Sequence, residues 1–155
     1  MNNKKENTRT YTLTKTINAP IQFAFDWCTD FREDDYKLTD SSSRRTMYNK
    51  SGSKVVYVDE ETVDGEVRKS KSEVTLYPPD RWVLSAQGDV EDEEGEYRLE
   101  ADDEVTTVLK MTFRVGHKLK PIPSKAKWEK DGNEFWDKLV VALEKEYRAS
   151  TRVRK

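Results

Sequence analysis

The sequence contains one histidine, His117, and one cysteine, Cys28. A single histidine excludes a two-histidine metal site and a paired-histidine acid–base system. His117 lies at the predicted end of a strand, where we expect a surface position. Cys28 lies beside the apolar face of a predicted helix and has no basic neighbour in sequence, so we expect a buried, unreactive thiol. A lone cysteine also excludes an internal disulfide.

Other signatures of enzymes are absent from the sequence. There is no phosphate-binding Gly-x-x-x-x-Gly-Lys loop and no Gly-x-Gly-x-x-Gly turn. The acid pairs Asp34–Asp35 and Asp102–Asp103 fall in predicted turns, and adjacency in sequence does not bring catalytic carboxylates together in space. We therefore predict no catalytic residue, no metal ligand and no cofactor. The residues favour a protein that is not an enzyme, although Tyr, Asp, Glu and Arg side chains leave acid–base chemistry open.

Aromatic residues are abundant for so polar a chain, with four Trp, seven Tyr and five Phe at a mean hydropathy of -0.98. Small-molecule sites are mostly apolar, with a few polar groups that fix the ligand's orientation. We predict that an apolar ligand contacts residues on the inner faces of the sheet and helices, namely Trp27, Phe31, Trp82, Tyr97, Leu109, Met111, Phe113, Trp128, Phe135, Trp136 and Leu139.

Each of these residues, taken alone, is more typical of a plain hydrophobic core than of a cavity wall. Met111 has the flexible side chain that adapts to a ligand. Tyr97, Arg68 and Arg114 are the candidates for the polar end of a site. Arg114 has the strand parity of a solvent-facing residue, which counts against it.

Alternating apolar and polar residues predict an antiparallel sheet of about six to seven strands. The clearest alternation runs over 104–115, and the other predicted strands cover 10–17, 45–50, 54–62, 66–77, 81–87 and 96–101. Asp64–Gly65 is a strong hairpin signal. The parity shift between Val67 and Val74 predicts a bulge, and the acidic residues around Glu93–Gly95 predict a turn.

Two helical patterns flank the strands. Asn18 as a cap and Pro20 in the first turn predict a short helix that carries Phe23, Trp27 and Phe31. Ser124 as a cap predicts a long helix over 125–149, whose apolar stripe Gly132 interrupts. Strands and helices do not alternate, which argues against a parallel sheet. The chain therefore predicts an α+β fold.

Charge is separated along the chain, although the net charge is only -2. Residues 89–104 contain ten acids and one base, Arg98, whereas the chain from Arg114 onward is mainly basic. Two solvated faces are the simpler interpretation, and a docking surface for a charged partner is the alternative. Without a basic excess we expect no nucleic-acid partner. No apolar run approaches the ~20 residues of a membrane span, and the N-terminus does not resemble a signal peptide, so we expect a cytoplasmic protein without an integral membrane segment.

Three segments, in this order, resemble the START-like superfamily, also called SRPBCC or Bet v 1-like, which includes polyketide cyclase/dehydrase-type proteins. They are TLTKTINAPIQFAFDW near the N-terminus, EVTLYPPDRWVLS in the middle and WEKDGNEFWDKLVVALEKEY in the last helix. The resemblance implies a helix-grip fold, in which a curved antiparallel sheet wraps around a long C-terminal helix. Members bind lipids, sterols, polyketides, quinones or hormones, some are enzymes, and some act through protein partners, so the fold leaves the function open.

We predict a flexible segment over 1–8, a single START-like domain over 9–149 and a basic tail over 150–155. The leading hypothesis is binding or transport of a small apolar ligand, such as a lipid or polyketide, between the last helix and the sheet. The alternatives are a cyclase or dehydratase on the same fold and a co-chaperone-like module with a protein partner. A homodimer is also compatible with the sequence.

Overall fold

A computed structural model describes residues 7–39 and 42–153 of the chain. Its seven strands form one antiparallel sheet in the order β1-β7-β6-β5-β4-β3-β2. The strands are β1 (Thr8–Ile17), β2 (Arg44–Ser51), β3 (Lys54–Val63), β4 (Glu66–Tyr77), β5 (Arg81–Gly88), β6 (Glu91–Asp103) and β7 (Thr106–His117). The helices are α1 (Ile21–Cys28) and α2 (Lys125–Val153), with a 3-10 turn at Asp35–Thr39. The predicted α+β helix-grip architecture is confirmed.

The long helix α2 is held toward the β1 side of the sheet. Gly132 allows the close approach, since a Cβ atom there would lie 2.9 Å from Leu13 Cδ1. One turn earlier, the Trp128 ring stacks on Tyr11 with the ring centroids 4.0 Å apart. Gly132, which weakens a helix, is therefore explained by helix–sheet packing.

Polar contacts fix the same side of α2 farther along the helix. Lys15 Nζ lies 2.7 Å from Asp137 Oδ1. The Asn18 backbone N–H donates to Glu144 Oε2 at 2.7 Å, and the Trp27 indole N–H donates to Glu146. These contacts join α2 to β1, to the β1–α1 connection and to α1, so several points along the helix are held in place.

The tightly packed core lies where α2 meets β1 and β7. Leu109, Met111 and Phe113 of β7 are almost completely buried, as are Leu13 of β1 and Leu143 of α2. These side chains share the concave face of the sheet because alternate residues of a strand point the same way. The predicted inward parity of β7 is confirmed.

Two local signals in the sequence are confirmed. Asp64 and Gly65 have φ angles of 51° and 81°, as a two-residue hairpin turn requires. Ser124 caps α2, because its Oγ accepts a hydrogen bond from the Lys127 backbone N–H at 3.1 Å.

Other local predictions are wrong. β4 pairs with both neighbours without a register shift, so the predicted bulge is absent and Val67 is simply exposed on the convex face. The Asn18 side chain does not cap α1, because Pro20 occupies the N-cap position without a side-chain hydrogen bond. Phe31 lies beyond the end of α1, which stops at Cys28.

The predicted acidic turn around Glu93–Gly95 is also wrong, because these residues lie within β6. Their backbone pairs on both sides, with Glu93 opposite Ala86 of β5 and Val115 of β7. The connection between β5 and β6 lies instead at residues 89–90. As a result the acidic run alternates between the two faces of the sheet, and only part of it faces solvent.

His117 is buried rather than on the surface as predicted. β7 extends two residues farther than expected, so His117 keeps the inward parity of the strand and is only 8% exposed. Its Nε2 lies 2.9 Å from Tyr11 Oη. Burial lowers the pKa of His117, which favours the neutral ring in this contact.

The helix α2 ends later than predicted. It runs to Val153 rather than to Ala149, so residues 150–153 of the predicted basic tail are helical. β1 begins at Thr8, while residues 1–6 and 154–155 of the two predicted end segments lie outside the described residues. Within the described ranges, neither helix combines the length and the apolar character that crossing a membrane requires.

Trp128 should stabilise the fold more than Phe135 does, although both are aromatic residues of α2. Trp128 packs on Tyr11 and Phe113, whereas Phe135 is 49% exposed. We expect Trp128→Ala to lower the free energy of unfolding by about 2–4 kcal/mol and Phe135→Ala to lower it by less than ~1.5 kcal/mol. Urea denaturation of the two variants measures the two free energies of unfolding. Equal losses would contradict the packing of α2 on the sheet through Trp128.

Candidate ligand cavity

A cavity of about 360 Å³ lies between the concave face of the sheet, α1, the 3-10 turn and the middle of α2. It occupies the side of the concave face away from β1, where α2 does not reach the strands closely. The volume is within the range of small-molecule sites.

One part of the wall is aromatic. Trp82 of β5 stacks on Tyr97 of β6 with the ring centroids 5.0 Å apart, and Tyr97 lies 6.0 Å from Trp136 of α2. Gly95 makes room for the tyrosine ring, since a Cβ atom there would lie 3.1 Å from Tyr97 Cε2. The predicted residues that line the cavity are Trp27, Phe31, Trp82, Tyr97, Phe135, Trp136 and Leu139. As ligand contacts they stay a prediction.

The other four predicted residues lie outside the cavity wall. Leu109, Met111 and Phe113 belong to β7 and are almost completely buried in the hydrophobic core. Trp128 is occupied by its stacking on Tyr11. These four residues form solid core, because strand parity identifies the concave face but not which part of it the helix covers.

The arginines that line the cavity are Arg32 and Arg45 rather than Arg68 and Arg114, and the more buried of the two is Arg45. Its Nε donates to Asp59 Oδ1 at 2.8 Å and its Nη1 donates to Asp35 Oδ2 at 2.9 Å. The guanidinium also lies 4.0 Å from the centroid of the Tyr57 ring. Two carboxylates and an aromatic face therefore satisfy this charge, and the network joins β2, β3 and the 3-10 turn.

Two acids of β6 face the cavity from the strand that carries Tyr97. Burial, with a smaller contribution from the charge of Glu91, raises the pKa of Glu93 to about 7. Burial also raises the pKa of Glu91. Glu91 Oε2 is buried and has no hydrogen-bond partner among the residues that the structure describes. The sequence contained the signal for both, because Glu91 and Glu93 continue the alternation of Tyr97 and Leu99.

Three further groups in the wall stay protonated at neutral pH. Burial raises the pKa of Tyr57 to about 12, against the opposing charge of Arg45. Burial also raises the pKa of Tyr97 well above its ordinary value, with Glu93 adding to the shift. Burial raises the pKa of Cys28 to about 12, in keeping with the predicted unreactive thiol. Glu93, by contrast, changes its charge near neutral pH.

The wall does not resemble a metal site. Across residues 7–39 and 42–153, no three His, Cys, Asp or Glu side chains group together in a way that could hold a metal ion. The arrangement is instead an aromatic cavity with hydroxyl and carboxyl groups at one end, which suits a molecule with an apolar body and a polar group.

Glu93 should make stability depend on pH. The pKa of Glu93 is about 7 in the folded state against an ordinary 4.5, so the folded state holds its proton more tightly. The stabilisation from protonated Glu93 is complete below about pH 4.5 and is lost as the pH rises through about 7. Ionisation of Glu93 therefore lowers the free energy of unfolding at high pH, and Glu93→Gln should remove up to about 3 kcal/mol of that destabilisation.

Urea denaturation at about pH 5 and pH 8 measures the effect. Relative to the unsubstituted protein, Glu93→Gln should gain stability at the higher pH. Glu94→Gln is the matched control, because Glu94 is exposed on the convex face and bonds to Ser85 Oγ. Identical pH dependence in Glu93→Gln and the unsubstituted protein would show that Glu93 titrates as an ordinary carboxyl.

No family model matches the chain, and no curated protein matches it by sequence. Solved structures match along most of its length. An aromatase/cyclase from Streptomyces has a TM-score of 0.67 at 14% identity, over 91% of this chain and 94% of that one. A START superfamily protein from Mycobacterium smegmatis has a TM-score of 0.66 at 18% identity, over 90% and 97%.

A plant protein matches as well. Major latex-like protein 151 from Panax ginseng has a TM-score of 0.64 at 9% identity, over 88% of this chain and 98% of that one. At these identities the likeness establishes the fold alone. The strand order, the long C-terminal helix and these matches show that the chain has the START-like, or Bet v 1-like, helix-grip fold.

Proposed function

We propose that the protein binds or transports a small, mainly apolar molecule, such as a lipid or a polyketide, in the cavity beneath α2. One observation carries the proposal: α2 crosses the concave face without filling it. Of the described residues of α2, only Leu143 is fully buried, while Phe135 is 49% exposed. A helix with this many aromatic residues would bury more of them in a solid core.

Burial of aromatic surface supplies the affinity in this proposal. Covering one large exposed apolar side chain contributes about 1.5–3 kcal/mol. Phe135 is exposed and Trp136 is half-buried, whereas Trp82 and Tyr97 are already buried in the wall. The partly exposed Phe135 lies beside Trp136, with the ring centroids 6.3 Å apart, and these two rings are the part of the wall that a ligand would cover. Neighbours of the same fold include a START superfamily protein and an aromatase/cyclase, which is consistent with this use of the cavity.

Filling the cavity should abolish binding. Ala86 is a wall residue, 8% exposed, between Ser72 of β4 and Glu93 of β6. We expect Ala86→Phe to weaken the binding of the neutral fluorescent probe N-phenyl-1-naphthylamine by at least about tenfold, which corresponds to ~1.4 kcal/mol.

Val83→Phe provides the control, because Val83 lies on the same strand with its side chain on the opposite face. It should bind the probe as the unsubstituted protein does. Thermal unfolding of both variants checks that they are folded. The proposal fails if the unsubstituted protein shows no saturable uptake, or if folded Ala86→Phe binds the probe equally well.

A second candidate function is a cyclase or dehydratase reaction. Glu93, with a pKa of about 7, faces the cavity together with the hydroxyl-bearing side chains of Tyr57 and Tyr97. A carboxyl group with a pKa near the working pH is suited to general acid–base catalysis, which contributes about 10²–10⁴ in rate. This observation favours an enzyme over a purely apolar carrier.

The enzyme hypothesis predicts turnover of a linear poly-β-ketone thioester into an aromatic product, followed by its absorbance. Glu93→Gln should reduce the rate by about 10²–10⁴, while Glu94→Gln should leave it unchanged. Absence of product with the unsubstituted protein, or equal rates for Glu93→Gln, would leave the binding function as the better account.

A further inference from the structure

We propose that the ligand carries a positively charged amine, which Glu91 and Glu93 bind while the aromatic wall holds its apolar body. The inference rests on the proposed function, because it assumes that a small molecule enters the cavity. It adds the chemical class of that molecule, which neither the fold nor its neighbours specify.

The charges of the cavity wall do not balance. Among the described residues, the wall contains the acids Asp30, Asp35, Asp59, Glu91 and Glu93 but only two bases, Arg32 and Arg45. Three of the acids are engaged by these bases: Asp35 and Asp59 bind Arg45, and Asp30 lies 3.5 Å from Arg32.

Glu91 and Glu93 are the two acids left over. They point to the same side of β6, two residues apart, and no described cation forms an ion pair with either. Glu91 Oε2 is withdrawn from solvent and lacks a hydrogen-bond donor among the described residues. A buried carboxylate without a partner is costly, so a donor with a positive charge entering here would relieve that cost.

The rest of the wall favours the same ligand. Trp82, Tyr97 and Trp136 provide aromatic rings against which the apolar body of such a ligand would pack. An anionic ligand would instead meet two carboxyl groups of its own sign. A neutral, fully apolar ligand would leave both carboxyl groups unpaired.

Three probes with one aromatic body separate these cases. Isothermal titration calorimetry at about pH 8 would compare 2-naphthylmethylamine, 2-naphthylmethanol and 2-naphthoate with the full chain. Hydrogen bonds to charged groups contribute about 1.5–3 kcal/mol, so the amine should bind roughly tenfold or more tightly than the alcohol. The naphthoate should bind most weakly.

The double variant Glu91→Gln with Glu93→Gln should bind the amine and the alcohol about equally, whereas Glu94→Gln should keep the preference for the amine. Binding of the alcohol by the double variant shows that its cavity is intact. A preference for the amine that survives the double substitution would overturn the assignment to these two carboxyl groups.

Failure of the inference differs from failure of the proposed function. If the naphthoate or the alcohol binds as tightly as the amine, the inference is wrong although the cavity binds ligands. The same conclusion holds if none of the three probes binds while N-phenyl-1-naphthylamine does. If that neutral probe is also excluded, both the proposed function and the inference are wrong.

Discussion

A single helix cannot cover the whole concave face of a seven-stranded curved sheet, and this constraint shapes the rest of the structure. The helix α2 is fixed toward β1 by the stacking of Trp128 on Tyr11 and by the close approach of Gly132 to Leu13. Close packing on that side leaves space on the other. The solid core around Leu143 and the cavity beneath Trp136 thus both follow from the position of α2 toward β1.

The part of the concave face that α2 does not cover is stabilised by a polar network around Arg45. An arginine that is partly withdrawn from water needs partners for its charge and its donors, and Asp35, Asp59 and the Tyr57 ring provide them for Arg45. This network fixes the 3-10 turn against β2 and β3 and closes one end of the cavity. Because those partners already neutralise Arg45, the cavity wall keeps an excess of acid, and that excess gives the site its distinct chemistry.

Sequence patterns predicted the fold well because local rules govern most of it. Strand parity identified the inward residues of β7, and Asp64–Gly65 and Ser124 fixed a hairpin and a helix start. Acids have low strand propensity, so their run around Glu93 is more typical of a turn. Pairing with β5 and β7 overrides that propensity, as is usual when tertiary contacts decide.

The site itself was only partly predictable. Parity shows that Met111 and Trp82 face inward, but the choice between core and cavity depends on where α2 lies, and that is a property of the assembled fold. The Arg45 network joins three elements that are separated in sequence, so no short sequence motif predicts it. His117 was misplaced for a simpler reason, since β7 extends beyond its predicted end.

The central claim is that the space beneath α2 is a binding site, and native mass spectrometry of the chain purified from its host tests it most directly. The account predicts a small organic adduct that dissociates on unfolding. A chain that is consistently empty, and stays empty after exposure to fatty acids and other apolar probes, would contradict it.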